Sequence, residues 1–164
     1  MSLSFEVNER DLKEAIALLE RTGANMERAV PRVVSDATTQ TYRKVRELIA
    51  QENIRRTGLY SKSVRMDMKG SGLNTEGRVG NAARDPRTGF PYPVVIEEGS
   101  KPHMITPTVK KCLHFYTKGG DEVFATRVRH PGTQPRKVFG RARDFAAKEI
   151  PRLVREFLKK VGKL

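Results

Sequence analysis

Apolar and polar residues recur along this chain with two periods, 3.6 and 2, and each change of period marks a new element. Leu3, Phe5 and Val7 alternate with polar neighbours, the spacing of a short first strand. Asn8 is suited to cap a helix. Leu12, Ala15, Ile16 and Leu19 then fall on one helical face, and Gly23 supplies the stop. A second helical pattern starts near Asn25 and runs through Met26, Val30, Val33, Ala37, Thr41, Val45, Leu48 and Ile49. At 3.6 residues a turn this is a helix of about seven turns. Pro31 is tolerated because it falls near the first turns, where a lost backbone donor matters least. Such a length exceeds what a modest core covers, so part of the helix is expected to rest on a neighbouring subunit.

After Gly58 the period drops to 2. Val64, Met66 and Met68 alternate with Arg65, Asp67 and Lys69, which predicts a half-buried strand. Gly70-Ser71-Gly72 and Asn74 form a turn, and a strand returns around Arg78 and Val79. Asn81 to Pro93 holds three prolines and Gly89 and reads as a long loop; mobility is expected at Gly70 to Asn74 and at Arg84 to Phe90. Val94, Val95 and Ile96 read as a compact apolar strand closed by Gly99. Cys112 to Tyr116 and Val123 to Val128 flank Thr117-Lys118-Gly119-Gly120-Asp121-Glu122, the strongest hairpin signal in the chain. Phe145, Ala146, Ile150, Leu153, Val154, Phe157 and Val161 share one side of a last helix, which Pro151 is expected to kink. The order predicts one α+β domain, an antiparallel sheet packed with a long N-terminal helix and a C-terminal helix. Its parts are helical over 8–55, sheet over 60–130 and helical again over 138–161.

Composition narrows the core and the setting. Across 164 residues, 37% are hydrophobic, 31% are charged and none is Trp, so the core is expected to be thin. No apolar run approaches the roughly 20 residues of a membrane span, and the N-terminus lacks a signal-peptide pattern. A chain made and kept in a cytoplasm, away from membranes, is the expectation. Cys112 is the only cysteine, which excludes an intrachain disulfide and a cysteine-based zinc site; a small buried apolar role on a strand is expected of it.

Charge changes the picture most. Lys and Arg number 32 against 19 Asp and Glu, a net of +13. Residues 1–82 hold 14 basic and 11 acidic side chains, whereas residues 83–164 hold 18 and 8. Arg127, Arg129, Arg136, Lys137, Arg141 and Arg143 lie in one stretch without a single Asp or Glu. Such a field favours an anionic partner, whether nucleic acid, an acidic protein surface or a membrane. Within that stretch His130-Pro131-Gly132-Thr133-Gln134-Pro135 cannot take regular structure, so it reads as a fixed-shape docking loop ahead of an aromatic anchor, Phe139.

Catalytic chemistry finds little purchase in these residues. His103, His114 and His130 with Arg129 and Glu97 have the residue types of a small metal-independent ribonuclease, in which one imidazole takes a proton and another gives one, but no spacing supports it. No His-x-x-x-His, paired-cysteine or Asp-rich loop marks a metal site, and no glycine loop marks a nucleotide cofactor. Glu97 and Glu98, adjacent on the expected strand, face opposite sides. The six basic residues, with Phe139 or Phe115 offering stacking, suit sequence-nonspecific nucleic-acid binding, and no base-reading motif accompanies them.

Four pieces in order resemble the tail-completion, or head-tail joining, proteins of long-tailed bacteriophages, a group that includes relatives of lambda's minor tail protein Z. A long N-terminal helix runs into Thr57-Gly58-Leu59-Tyr60-Ser61-Lys62-Ser63-Val64; a central segment carries Glu97-Glu98-Gly99-Ser100. A hairpin leads to His130-Pro131-Gly132-Thr133, followed by Pro135, Phe139, Ala142 and the final helix. The link from Lys101 to Lys111, with two prolines and a histidine, is longer than the group's usual one. The resemblance implies a non-enzymatic, cofactor-free assembly protein at the virion neck or tail, made in the host cytoplasm and acting as copies in a ring. It implies tail-tube, tail-terminator and head-completion proteins as partners. Gly58, Glu97, Gly99, Gly132, Pro135 and Phe139 would be its structural residues. Arg127, Arg129, His130, Arg136, Lys137, Arg141 and Arg143 would touch partners or channel DNA.

Overall fold

In chain order the elements are α1 (Glu9–Arg21), α2 (Met26–Gln51), α3 (Leu59–Lys62), β1 (Val64–Lys69), β2 (Glu76–Asn81), α4 (Tyr92–Glu98), β3 (His103–Ile105), β4 (Leu113–Tyr116), β5 (Glu122–Ala125), β6 (Val128–His130) and α5 (Val138–Lys160). They come from a computed structural model that describes residues 9–23, 25–54, 58–86, 88–117 and 119–162. The expected strand at Leu3 to Val7 and the Asn8 cap lie outside these residues. The α+β class holds, with a long helix, antiparallel strand pairs and a C-terminal helix. Contacts group the chain into two units, Met1–Pro93 with Lys137–Leu164, and Val94–Arg136.

The first unit is built on α2. Asn25 caps it as a side chain that accepts from the Arg28 amide at 3.2 Å, satisfying one of the donors a helix start leaves open. Gly23, at φ +58°, turns the chain from α1 into α2. Ala15 and Leu19 of α1, Ala29 and Val33 of α2, and Ile150, Leu153, Val154 and Leu158 of α5 close one apolar cluster. Each of the larger side chains contributes about 1.5–3 kcal/mol by leaving water. Buried positions on α2 run from Ala29 to Ile49, and α5, which continues through Pro151, packs along this helix together with β1 and β2.

β1 and β2 pair antiparallel, Val64 opposite Asn81 and Lys69 opposite Glu76, and this hairpin also packs on α2. Gly77 permits the contact: a Cβ there would sit 1.7 Å from the hydroxyl of buried Thr38. Buried Asn81 donates to the Tyr60 carbonyl at 2.8 Å and accepts from the Ala83 amide at 2.9 Å. The half-buried pattern expected of β1 fails beyond Val64, because Met66 and Met68 are exposed. Alternation reports an apolar face; it does not supply the layer that would cover it.

Val94, Val95 and Ile96 lie in a helix, α4, and not in the expected strand. Pro93 sits in its first turn, where a missing amide is harmless, and Gly99 ends it at φ +72°. The Arg84 to Phe90 loop, where mobility is expected, carries hydrogen bonds of its own. The Asp85 amide donates to Phe90 O and the Gly89 amide to Asp85 O, while the Asp85 carboxylate takes the Thr88 amide and the Tyr92 hydroxyl, all within 2.8–2.9 Å.

In the second unit β3 pairs with β6 and β4 with β5, each antiparallel and each two-stranded. The expected run Val123 to Val128 therefore splits, its first part in β5 and its end in β6. Cys112 precedes β4 and is half-buried, which corrects its buried strand role.

Candidate interaction surface in residues 94–136

The loop from His130 to Arg136 is fixed by backbone groups. Ser100 and Thr133 form an isolated bridge, amide to carbonyl both ways, and the Arg136 amide donates to the Ile96 carbonyl at 2.7 Å. A glycine precedes each bridge residue. At Gly99 a Cβ would meet Thr133 O at 2.4 Å and Pro135 Cδ at 3.0 Å; at Gly132, φ +91°, it would meet Ser100 O at 2.3 Å. Gly99, Gly132 and Pro135 thus come together as one clasp. Glu97, in the α4 turn leading into it, is buried and Glu98 exposed, one in and one out as a helix edge dictates. Gly58 belongs to the first unit, where φ +70° starts α3, and Phe139 is fully buried. Burial removes Phe139 from any stacking role.

Two of the three histidines meet. His103 and His130 are cross-strand partners on β3 and β6, their rings 5.0 Å apart at 30°. His103 Nδ1 lies 2.9 Å from Lys101 O, and His130 Nδ1 accepts from the Gly132 amide at 3.1 Å, which ties the pair to the clasp. His114 belongs to the other strand pair: its Nε2 meets Glu122 at 2.8 Å and its ring stacks on Phe124 at 4.7 Å. Among the described residues no group of three or more His, Cys, Asp and Glu is placed to hold a metal ion.

The basic stretch is divided. Arg127 follows β5 and Arg129 lies mid-β6, both exposed and neither with an ion-pair partner among the described residues. Arg136 ends the second unit and is exposed. Lys137, exposed at the start of α5, holds φ 48° and ψ 42°, a left-handed conformation that costs about 1–2 kcal/mol for a residue with a side chain. Arg141 and Arg143 are engaged at home, by Glu52 at 2.5 Å and Asp144 at 2.9 Å. They offer less free charge than the sequence indicates.

Apolar surface without any buried apolar core, which sequence reasoning passed over, sets this unit apart. No buried hydrophobic side chain of the described residues lies in 94–136, while Met104, Ile105, Val109, Phe115, Tyr116 and Phe124 are all exposed there. Val109 is 90% exposed, Tyr116 64% and Phe124 63%. A two-stranded pair is marginal in water without a covered face. Composition of the segment alone, apolar strands without a second layer of sequence to cover them, was the available signal.

Among the described residues no helix is long and apolar enough to cross a membrane. Compared with protein-family models, curated proteins and solved structures, the chain matches none.

Proposed function

We propose that the chain is a non-enzymatic virion assembly protein of a long-tailed phage, completing the tail or joining it to the head as copies in a ring at the neck. Tail-tube, tail-terminator and head-completion proteins are its partners in this reading. The observation that carries it is the division of the core: the first unit holds the buried hydrophobic side chains, and residues 94–136 display large, exposed apolar side chains with none buried among the described residues. An assembly protein has to present surface that a partner later covers. The order of Gly58, Glu97, Gly99, Gly132, Pro135 and Phe139, which resembles the tail-completion group, adds the neck as the place. Deleting the gene from its phage and imaging the lysate tests this directly. Separate filled heads and unjoined tails are expected; intact particles would overturn the reading.

Sequence-nonspecific nucleic-acid binding is the second reading. It is favoured by the free Arg127 and Arg129 in the same unit as exposed Phe115 and Tyr116, since cations neutralise phosphates and flat rings stack on bases. Salt-dependent binding of duplex and of oligothymidylate tests it; tight binding at physiological salt would promote this reading over assembly.

A further inference from the structure

We infer that the β4–β5 hairpin takes up an extended, acidic segment of a partner protein as an added strand. The inference rests on the assembly reading and names the chemistry of the partner at that surface. Among the described residues each of β4 and β5 pairs only with the other, which leaves each an outer edge of backbone donors and acceptors outside the ladder. An extended polypeptide is the ligand that can use such an edge throughout its length.

Register decides what the ligand meets. His114 lies opposite Phe124 and Tyr116 opposite Glu122, which puts an exposed aromatic ladder on one face. His114 stacks on Phe124 and stands edge-on to Tyr116 at 5.4 Å, so the ladder is preorganised. Rigid, exposed aromatic rings are the side chains that most often anchor an interface.

Charge selects the occupant. Lys110 and Lys111 lead into β4 and Arg127 follows β5, all exposed. These three cations outnumber the hairpin's two carboxylates, Asp121 and Glu122, which are hydrogen-bonded to Thr117 at 3.0 Å and His114 at 2.8 Å. The balance of charge around the hairpin is therefore positive. A second copy of the chain is disfavoured because each carries +13. Nucleic acid is disfavoured because it has no alternating amides and carbonyls with which to pair along the open edge.

Amide NMR on the full chain tests this with a short capped peptide alternating glutamate and valine, a lysine–valine counterpart, and oligothymidylate. The acidic peptide is expected to shift the amides of residues 113–116 and 122–125, and to bind more weakly as salt rises. Tyr116→Ser with Phe124→Ser should weaken it about tenfold or more. Lys110→Glu with Lys111→Glu lies outside the strands, so it leaves the hairpin folded; it should weaken binding and flatten the salt dependence. No shift with the acidic peptide, shifts confined to other residues, or equal binding of the lysine peptide would overturn the inference. So would tighter binding of oligothymidylate at the hairpin, or hairpin shifts that grow with protein concentration alone. The gene deletion separately tests the assembly reading, so a failed peptide with unjoined heads and tails would sink only this inference.

Discussion

Ser100 and Thr133 exchange two backbone hydrogen bonds, 2.9 Å and 3.0 Å long, and each follows a glycine in a left-handed conformation. The clasp works only because neither glycine has a side chain. Gly99→Ala and Gly132→Ala should each cost about 1–3 kcal/mol locally through positive φ and contact with a facing carbonyl. Hydrogen exchange is the readout: amides of 103–105 and 128–130 should exchange faster in both variants, with α2 unchanged. Unaltered exchange in β3 and β6 would show that the clasp does not hold that pair.

Phe139 should behave differently, since it is fully buried in the first unit. Phe139→Ala is expected to lower global stability by about 3–5 kcal/mol, the usual loss for a buried aromatic ring. Denaturant unfolding measures it. A loss under about 1 kcal/mol would place Phe139 outside the core that the structure shows.

Asp85 gathers the Arg84 to Phe90 loop by accepting from the Thr88 amide and the Tyr92 hydroxyl. Asp85→Ala should speed amide exchange across 88–90 by about tenfold, with little change in global stability. Rates equal to the parent's would mean that the backbone bonds of the loop suffice.

Local signals were legible in the sequence and long-range ones were not. The apolar stripe from Met26 to Ile49 marked α2, and Gly119-Gly120 marked the β4–β5 turn, because helical period and turn chemistry act within a few residues. α4 was misread since a short apolar run such as Val94-Val95-Ile96 fits a strand or a buried helix turn equally well. The clasp residues were picked out through a resemblance, yet their meeting depends on pairing across the Lys101 to Arg129 excursion. His103 opposite His130 is the same case. Exposure of Tyr116 and Phe124 escaped notice because sequence shows what is apolar, not what covers it.

Affinity for DNA should be weak and fall steeply with salt. Arg127 and Arg129 have no ion-pair partner among the described residues, but Arg141 and Arg143 already have carboxylate partners, which lowers the number of phosphates the stretch can neutralise. Fluorescence anisotropy with duplexes of differing sequence checks this. Nanomolar, sequence-selective binding, or RNA hydrolysis lost in His130→Ala, would displace the assembly account.

Add-back to unjoined particles tests that account most directly. Heads and tails from a phage lacking the gene are mixed with purified protein, and infectious particles are counted. Wild-type protein should restore infectivity by orders of magnitude. Arg136→Glu with Lys137→Glu, both exposed, should restore far less while keeping the parent's helical circular dichroism. Restoration at wild-type levels by the double variant would remove the loop from the mechanism. No restoration by folded wild-type protein would contradict the account itself.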